Sequence, residues 1–202
     1  MYRFLEAGAV AAVILVAAAT PALADPGDVD LSVTIEKNTT PGELTMTVAA
    51  NNGVTLAENG SDASARQFTG TLPTVTVTDT RDPADIPAGS FWAVVGQAGQ
   101  FTPTGSTGTA FGPQYLGWAP HLLTGSQTGA VAAGEPVSSV VGDGTGAPTV
   151  GLQGQELLVS TANAADETGS WQVNADLALR TPTTVAAGQY KSTLTLSLFD
   201  QS

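Results

Sequence analysis

The chain contains no cysteine, which excludes disulfides, thiol catalysis and cysteine-based metal sites together. It holds one histidine, His121, so a His-rich metal site is excluded by count. Basic residues are scarce, with 6 Lys and Arg against 18 Asp and Glu for a formal net charge of −12, and none falls between Arg81 and Arg180. A surface of that sign repels phosphate polymers, which makes nucleic acid, teichoic acid and anionic lipid poor partners for most of the chain. Neutral glycans, cations and amine-bearing peptides stay compatible. No segment shows a sustained 3.6-residue apolar period with caps, so almost no helix is expected beyond the N-terminus. No apolar run reaches the roughly 20 residues that a helix needs to span a bilayer.

The longest such run, residues 7–19, carries no charge, follows Arg3 and leads into Thr20-Pro21 and the small-residue stretch Ala22-Leu23-Ala24. That is the pattern of a secretory signal peptide over 1–24 cleaved before Asp25, and it predicts an exported protein without stable membrane insertion. Cleavage leaves residues 25–202, enough for one well-buried domain held by its core alone.

What the mature chain does have is alternation. Leu31, Val33 and Ile35 alternate with Ser32, Thr34 and Glu36, and Leu44, Met46 and Val48 with Thr45 and Thr47. This period of two marks half-buried strands, expected as a hairpin across Asn38-Thr-Thr-Pro-Gly42. A third β region covers 68–78, with Pro73 placing an edge or bulge inside it. Residues 90–95 are apolar on both parities, Phe91, Ala93 and Val95 against Trp92 and Val94, which predicts a central strand covered on both sides. The final third is the most regular. Trp171, Val173, Ala175, Leu177 and Leu179 share one parity, as do Tyr190, Leu194, Leu196 and Leu198. Ile86-Pro-Ala-Gly-Ser-Phe91 and Val185-Ala-Ala-Gly-Gln-Tyr190 repeat one local device, a small-residue loop opening a strand. Between the regular parts, 96–154 holds 14 of the 23 glycines, yet its recurring aromatics and valines predict short irregular strands and long loops packed on the main sheet, rather than a linker. The fold class expected is an all-β, antiparallel, sandwich-like single domain with long Gly/Thr/Ser-rich loops.

Chemistry-bearing patterns are few. No Gly-x-Ser-x-Gly elbow accompanies His121, which reads as a surface or structural histidine. Asp79, Asp82 and Asp85 share one loop, but without a calcium-loop pattern they read as turn residues, with Asp79 paired to Arg81 or capping the loop. The expectation is a protein with no catalytic residues, no metal site and no cofactor. Trp171 begins an alternating strand and reads as a core anchor. Trp92 reads first as core. Trp118, in Tyr115-Leu-Gly-Trp118-Ala-Pro120, lies between Gly and Pro where a turn is expected; with Tyr115 it forms an aromatic pair suited to stacking on a sugar ring, the alternative being a loop packed onto the sheet.

These residues together resemble the WxL family of Gram-positive surface proteins. The resemblance is strongest over 74–198: the Val75-Thr-Val-Thr-Asp79-Thr-Arg81 lead-in, Trp92-Ala93-Val94 at the first Trp-x-Leu position, Tyr115-Leu-Gly-Trp118, and Gly188-Gln-Tyr190 with Leu194-Thr-Leu196-Ser-Leu198. Val94 stands where the motif has Leu, and Leu196 where the second motif would place Trp. The resemblance implies a non-catalytic protein, secreted and retained at the cell wall or cell surface, associating non-covalently with peptidoglycan or an attached glycan. Trp118, Tyr115 and Trp92 are the glycan contacts it suggests. The competing readings are a structural module that binds another wall protein through β edges, and a secreted glycan-active enzyme.

Overall fold

The computed structural model describes residues 42–49, 53–142 and 146–201. The expected signal peptide and the strand expected over 31–36, with most of the turn after it, lie outside the described residues. Twelve strands follow in order among the described residues. The first half contains β1 (Leu44–Val48), β2 (Ala57–Glu58), β3 (Ala65–Thr71), β4 (Val75–Asp79), β5 (Phe91–Ala98) and β6 (Thr102–Pro103). The second contains β7 (Leu116–Leu122), β8 (Val131–Ala133), β9 (Glu156–Thr161), β10 (Gly169–Pro182), β11 (Tyr190–Lys191) and β12 (Leu194–Gln201). Among the described residues, helical structure is confined to single 3₁₀ turns at Pro83–Asp85, Pro113–Tyr115 and Gly151–Gln153. The protein is all-β, built from antiparallel sheets packed as a sandwich, as its alternation predicts.

The larger sheet is organised around β10. Its first half pairs with β4, its second half with β3, and its other edge with β7. Thr71 faces Asp176 and Val75 faces Val173, so Leu72, Pro73 and Thr74 stand opposite only Asn174 and Ala175. The expected third β region is therefore one line of chain with a bulge, and Pro73 sits where no ladder donor is required. The Leu72 amide still reaches the Ala175 carbonyl at 2.8 Å. β1 lies outside β4, and β2 outside β3.

The smaller sheet runs β12-β5-β9-β8. β5 is central, as expected, but only one of its faces is sealed. Trp92 and Val94 are fully buried, while Phe91, on the opposite parity, is 40% exposed and Ala93 and Val95 are half-buried. The apolar outer parity reflects strand propensity rather than a second covering layer. A bulge in β9 sets Leu158 beside Val159, and both side chains enter the core.

The core is the space between the sheets. Val75, Val77, Trp171, Val173, Ala175, Leu177 and Leu179 enter from one side, and Trp92, Val94, Leu158 and Val159 from the other. The Trp92 and Trp171 rings meet at 5.5 Å between centroids, tilted by 39°. β10 and β12, the two regular strands of the final third, lie in different sheets. The repeated loop device also divides. Gly89 takes a left-handed φ of +83°, whereas Gly188 is not among the positive-φ glycines, so the first copy needs glycine for its backbone and the second does not.

Candidate functional site

The structure does not assemble Trp118, Tyr115 and Trp92 into one exposed surface. Trp118 is 2% exposed and Trp92 is fully buried. A sugar-stacking ring needs an open face, so neither serves as a platform in this conformation. The expectation of a turn at Trp118 is corrected by its neighbours. Gly117 leaves room for the Val137 carbonyl to approach its Cα, where a Cβ would collide. Trp118 and Val137 then exchange backbone hydrogen bonds at 2.8 and 2.9 Å. The Trp118 N–H points away from β10, and the nitrogen of Pro120, two residues on, faces the same way. Glycine and proline here permit close pairing and a strand edge, both compatible with a β-strand. Tyr115 ends a 3₁₀ turn and is half-buried in another cluster, edge-on to Phe111, which stacks on Phe101 and touches Tyr190.

A trough of about 590 Å³ lies on the outer face of the large sheet, its lining mostly apolar with a few polar side chains at the rim. Gly117 and Ala119 of β7 and Ala178 of β10 form a floor without bulk. Gln67, Asp176 and Arg180 rise along one side and Glu135 to Ser139 along the other. Period-two geometry explains the floor: while Trp118, Leu177 and Leu179 point into the core, the intervening residues point out. The opposite wall is held over the sheet by the same close pairing at Gly117.

Arg180 is fixed in place by donating to Asp62 Oδ2 at 2.6 Å and Gln67 Oε1 at 3.1 Å. Asp62 also accepts from the Ser64 hydroxyl, the Ser64 amide and the Ala65 amide, and these bonds, with Arg180, hold its carboxyl well below the ordinary carboxylate range. Asp176 is exposed and faces His121 Nε2 at 3.1 Å. His121 is thus a surface histidine at the trough's edge, as its sequence context suggests. The trough offers a guanidinium, an amide and two carboxylates above a flat floor, a set that can hydrogen-bond hydroxyl, amide and ammonium groups.

A second, larger cleft of about 1060 Å³ opens between the sheets at the β1, β3 and β12 side. Phe68, Leu177 and Leu179 line it from the large sheet, Leu194 and Leu196 from the small one. Phe68, Leu194 and Leu196 are only half-buried, which marks where the sandwich is unsealed, because β12 pairs only with β5 and its outer edge carries no strand among the described residues.

Two further carboxylates have structural roles. Asp79 is 1% exposed and receives Arg81 Nε at 2.9 Å and Nη2 at 2.7 Å, while Arg81 Nη1 reaches Asp200 of β12 at 2.9 Å. This bidentate pair is the expected Asp79–Arg81 contact, and it ties the two sheets together. Glu167 accepts from the Ser126 and Thr128 hydroxyls, the Gln127 and Thr128 amides and Trp171 Nε1. The Ser126 hydroxyl first, then that of Thr128, hold its carboxyl well below the ordinary value. A carboxylate held this way clasps a loop and is not poised to donate a proton near neutral pH. Among the described residues no group of three or more His, Asp or Glu side chains is placed to hold a metal ion. Among them, too, no helix is long and apolar enough to cross a membrane.

Sequence reasoning identified the polar parity of β10 but not the trough, because Glu135 and the 137–139 wall reach it only through a pairing that local sequence does not announce. No family model and no curated protein matches the chain.

Proposed function

We propose that this protein is a non-catalytic, exported β-sandwich retained at the cell surface by non-covalent contact with wall peptidoglycan or its attached glycan. The observation that supports this reading best is the outer-face trough. Its floor of Gly117, Ala119 and Ala178 admits a flat polar polymer, and its fixed Arg180 with Gln67, Asp176 and Glu135 matches the mixed hydroxyl, amide and amine chemistry of a glycan bearing short peptides. The net charge of −12 favours the amine-bearing peptide over phosphate polymers. Binding through one shallow site is weak, and retention follows from many copies facing a repeating polymer.

The test is co-sedimentation with purified sacculi. Ala178→Arg fills the trough with a long side chain from a half-buried outward position and leaves the core untouched. Wall association should fall severalfold with melting unchanged. Retention equal to the unmodified protein would remove the trough from the mechanism. Release of reducing sugar that disappears in Glu135→Gln or Asp176→Asn would replace binding by hydrolysis.

A second reading rests on β12. Among the described strands it is an eight-residue edge, whereas β1, β2 and β8 are edges of five, two and three residues. A long edge is a template for strand addition by another wall protein. Sacculi stripped of protein would then fail to retain the chain, while unstripped wall would succeed.

A further inference from the structure

We infer that the cleft between the sheets binds one long-chain fatty acid, its acyl chain lying among Phe68, Leu177, Leu179, Leu194 and Leu196 and its carboxylate meeting Lys191. The inference is independent of wall binding, since trough and cleft share no lining residue.

Shape and polarity support the acyl chain. At about 1060 Å³ the cleft matches the upper range of pockets that hold small molecules, and aliphatic and aromatic side chains from both sheets make up more of its wall than the Thr, Ser and Gln groups among them. Leu194 and Leu196 point into it from an edge strand and remain partly exposed, so an apolar ligand would remove surface that the fold itself leaves wet.

Charge supports the head group. The chain carries 18 acidic residues, yet among the described residues not one Asp or Glu lines this cleft. The two charged residues that do are Arg66 and Lys191. Arg66 is already engaged, donating to Glu58 at 3.0 and 3.2 Å and lying 5.2 Å over the Phe68 ring. Arg81 and Arg180 are likewise paired with carboxylates elsewhere. Among the described residues, Lys191 is the lysine or arginine without an ion pair, and it is exposed at the cleft. The protein's overall field repels anions, so the unpaired Lys191 ammonium is the point on this cleft where an anionic head group meets opposite charge. An anionic single-chain amphiphile satisfies both features at once. A neutral hydrocarbon would use only one.

The test is titration of the full mature chain with cis-parinaric acid, a fluorescent fatty acid, below its micelle concentration. Saturable enhancement with one site per chain is expected, displaced by hexadecanoate more effectively than by dodecanoate. Each buried methylene is worth about fourfold in affinity, so four additional carbons should matter by two orders of magnitude if all are buried, and by tenfold at least. Lys191→Glu, at an exposed position, should weaken parinarate and hexadecanoate by tenfold or more while hexadecanol displaces as before. Three results would overturn the inference: no enhancement, as when the chain's own residues fill the cleft; affinity independent of chain length or of Lys191; or enhancement lost as the protein dimerises, which would assign the cleft to a second copy.

Discussion

Replacing Trp118 by alanine tests whether this ring is a packing element or a surface platform. The indole is 2% exposed, and burial of an aromatic of this size removes about 150–250 Å² from water, worth about 4–6 kcal/mol as an upper bound. Its N–H has no hydrogen-bond partner in the protein, so the loss is one of packing. With partial collapse of the cavity, Trp118→Ala should cost about 3–5 kcal/mol. At roughly 2–4 °C per kcal/mol for a domain of this size, that lowers the melting temperature by about 10 °C. A second substitution locates the ring. A Cβ built on Gly96 would lie 2.5 Å from Trp118 Cη2 and 2.8 Å from Cζ3, across the sandwich. Gly96→Ala should therefore cost about 1–3 kcal/mol in the natural background. In a Trp118→Leu background, where the ring is gone, the cost should shrink by at least about 1 kcal/mol. Urea unfolding followed by far-UV circular dichroism reads all four corners of the cycle. If Trp118→Ala melts within about 2 °C of the unmodified protein, or the two substitutions are additive, the ring is not where the structure places it.

Arg81→Ala should destabilise by about 3–5 kcal/mol in urea unfolding, because it strands the buried Asp79 carboxylate; Asp200→Ala, acting on the outer end of the same guanidinium, should cost less than about 1 kcal/mol. Glu167 supplies a pH signature. Its folded carboxyl lies below the ordinary value of 4.5, so its stabilising contribution is fully present above pH 4.5 and is lost as pH falls below it. The stability gap between the unmodified protein and Glu167→Gln should therefore narrow between about pH 5 and pH 3 in urea midpoints. A constant gap would mean that the hydroxyl donors of Ser126 and Thr128 do not set the titration of Glu167.

The all-β class and the polarity of β10 follow from local physics. Trp171, Val173, Ala175, Leu177 and Leu179 occupy one parity, and burying that parity is the only way to remove five apolar side chains from water together. Pro73 announced its bulge for the same kind of reason: proline lacks a donor wherever it sits. The spacing Asp79-Thr-Arg81 likewise places carboxylate and guanidinium on one side of an extended chain, two residues apart, with no tertiary contact required.

What tertiary structure decided was which backbone edges meet. Gly117 and Pro120 have the composition of a turn. Pairing with β10 along its whole length makes that stretch a strand, and the arrival of Val137 against the Gly117 Cα holds its other edge while the Trp118 ring lies against Gly96. The same pairing raises the wall of the trough, so its acidic member, Glu135, comes from a segment with no distinguishing pattern of its own. β10 and β12 look like partners by sequence proximity and matched alternation, yet they belong to opposing sheets. A period of two specifies which face of a strand is buried and leaves open which neighbour completes its hydrogen bonds. That choice depends on long-range register, and through it on where the sheets part to leave an apolar cleft beside Lys191.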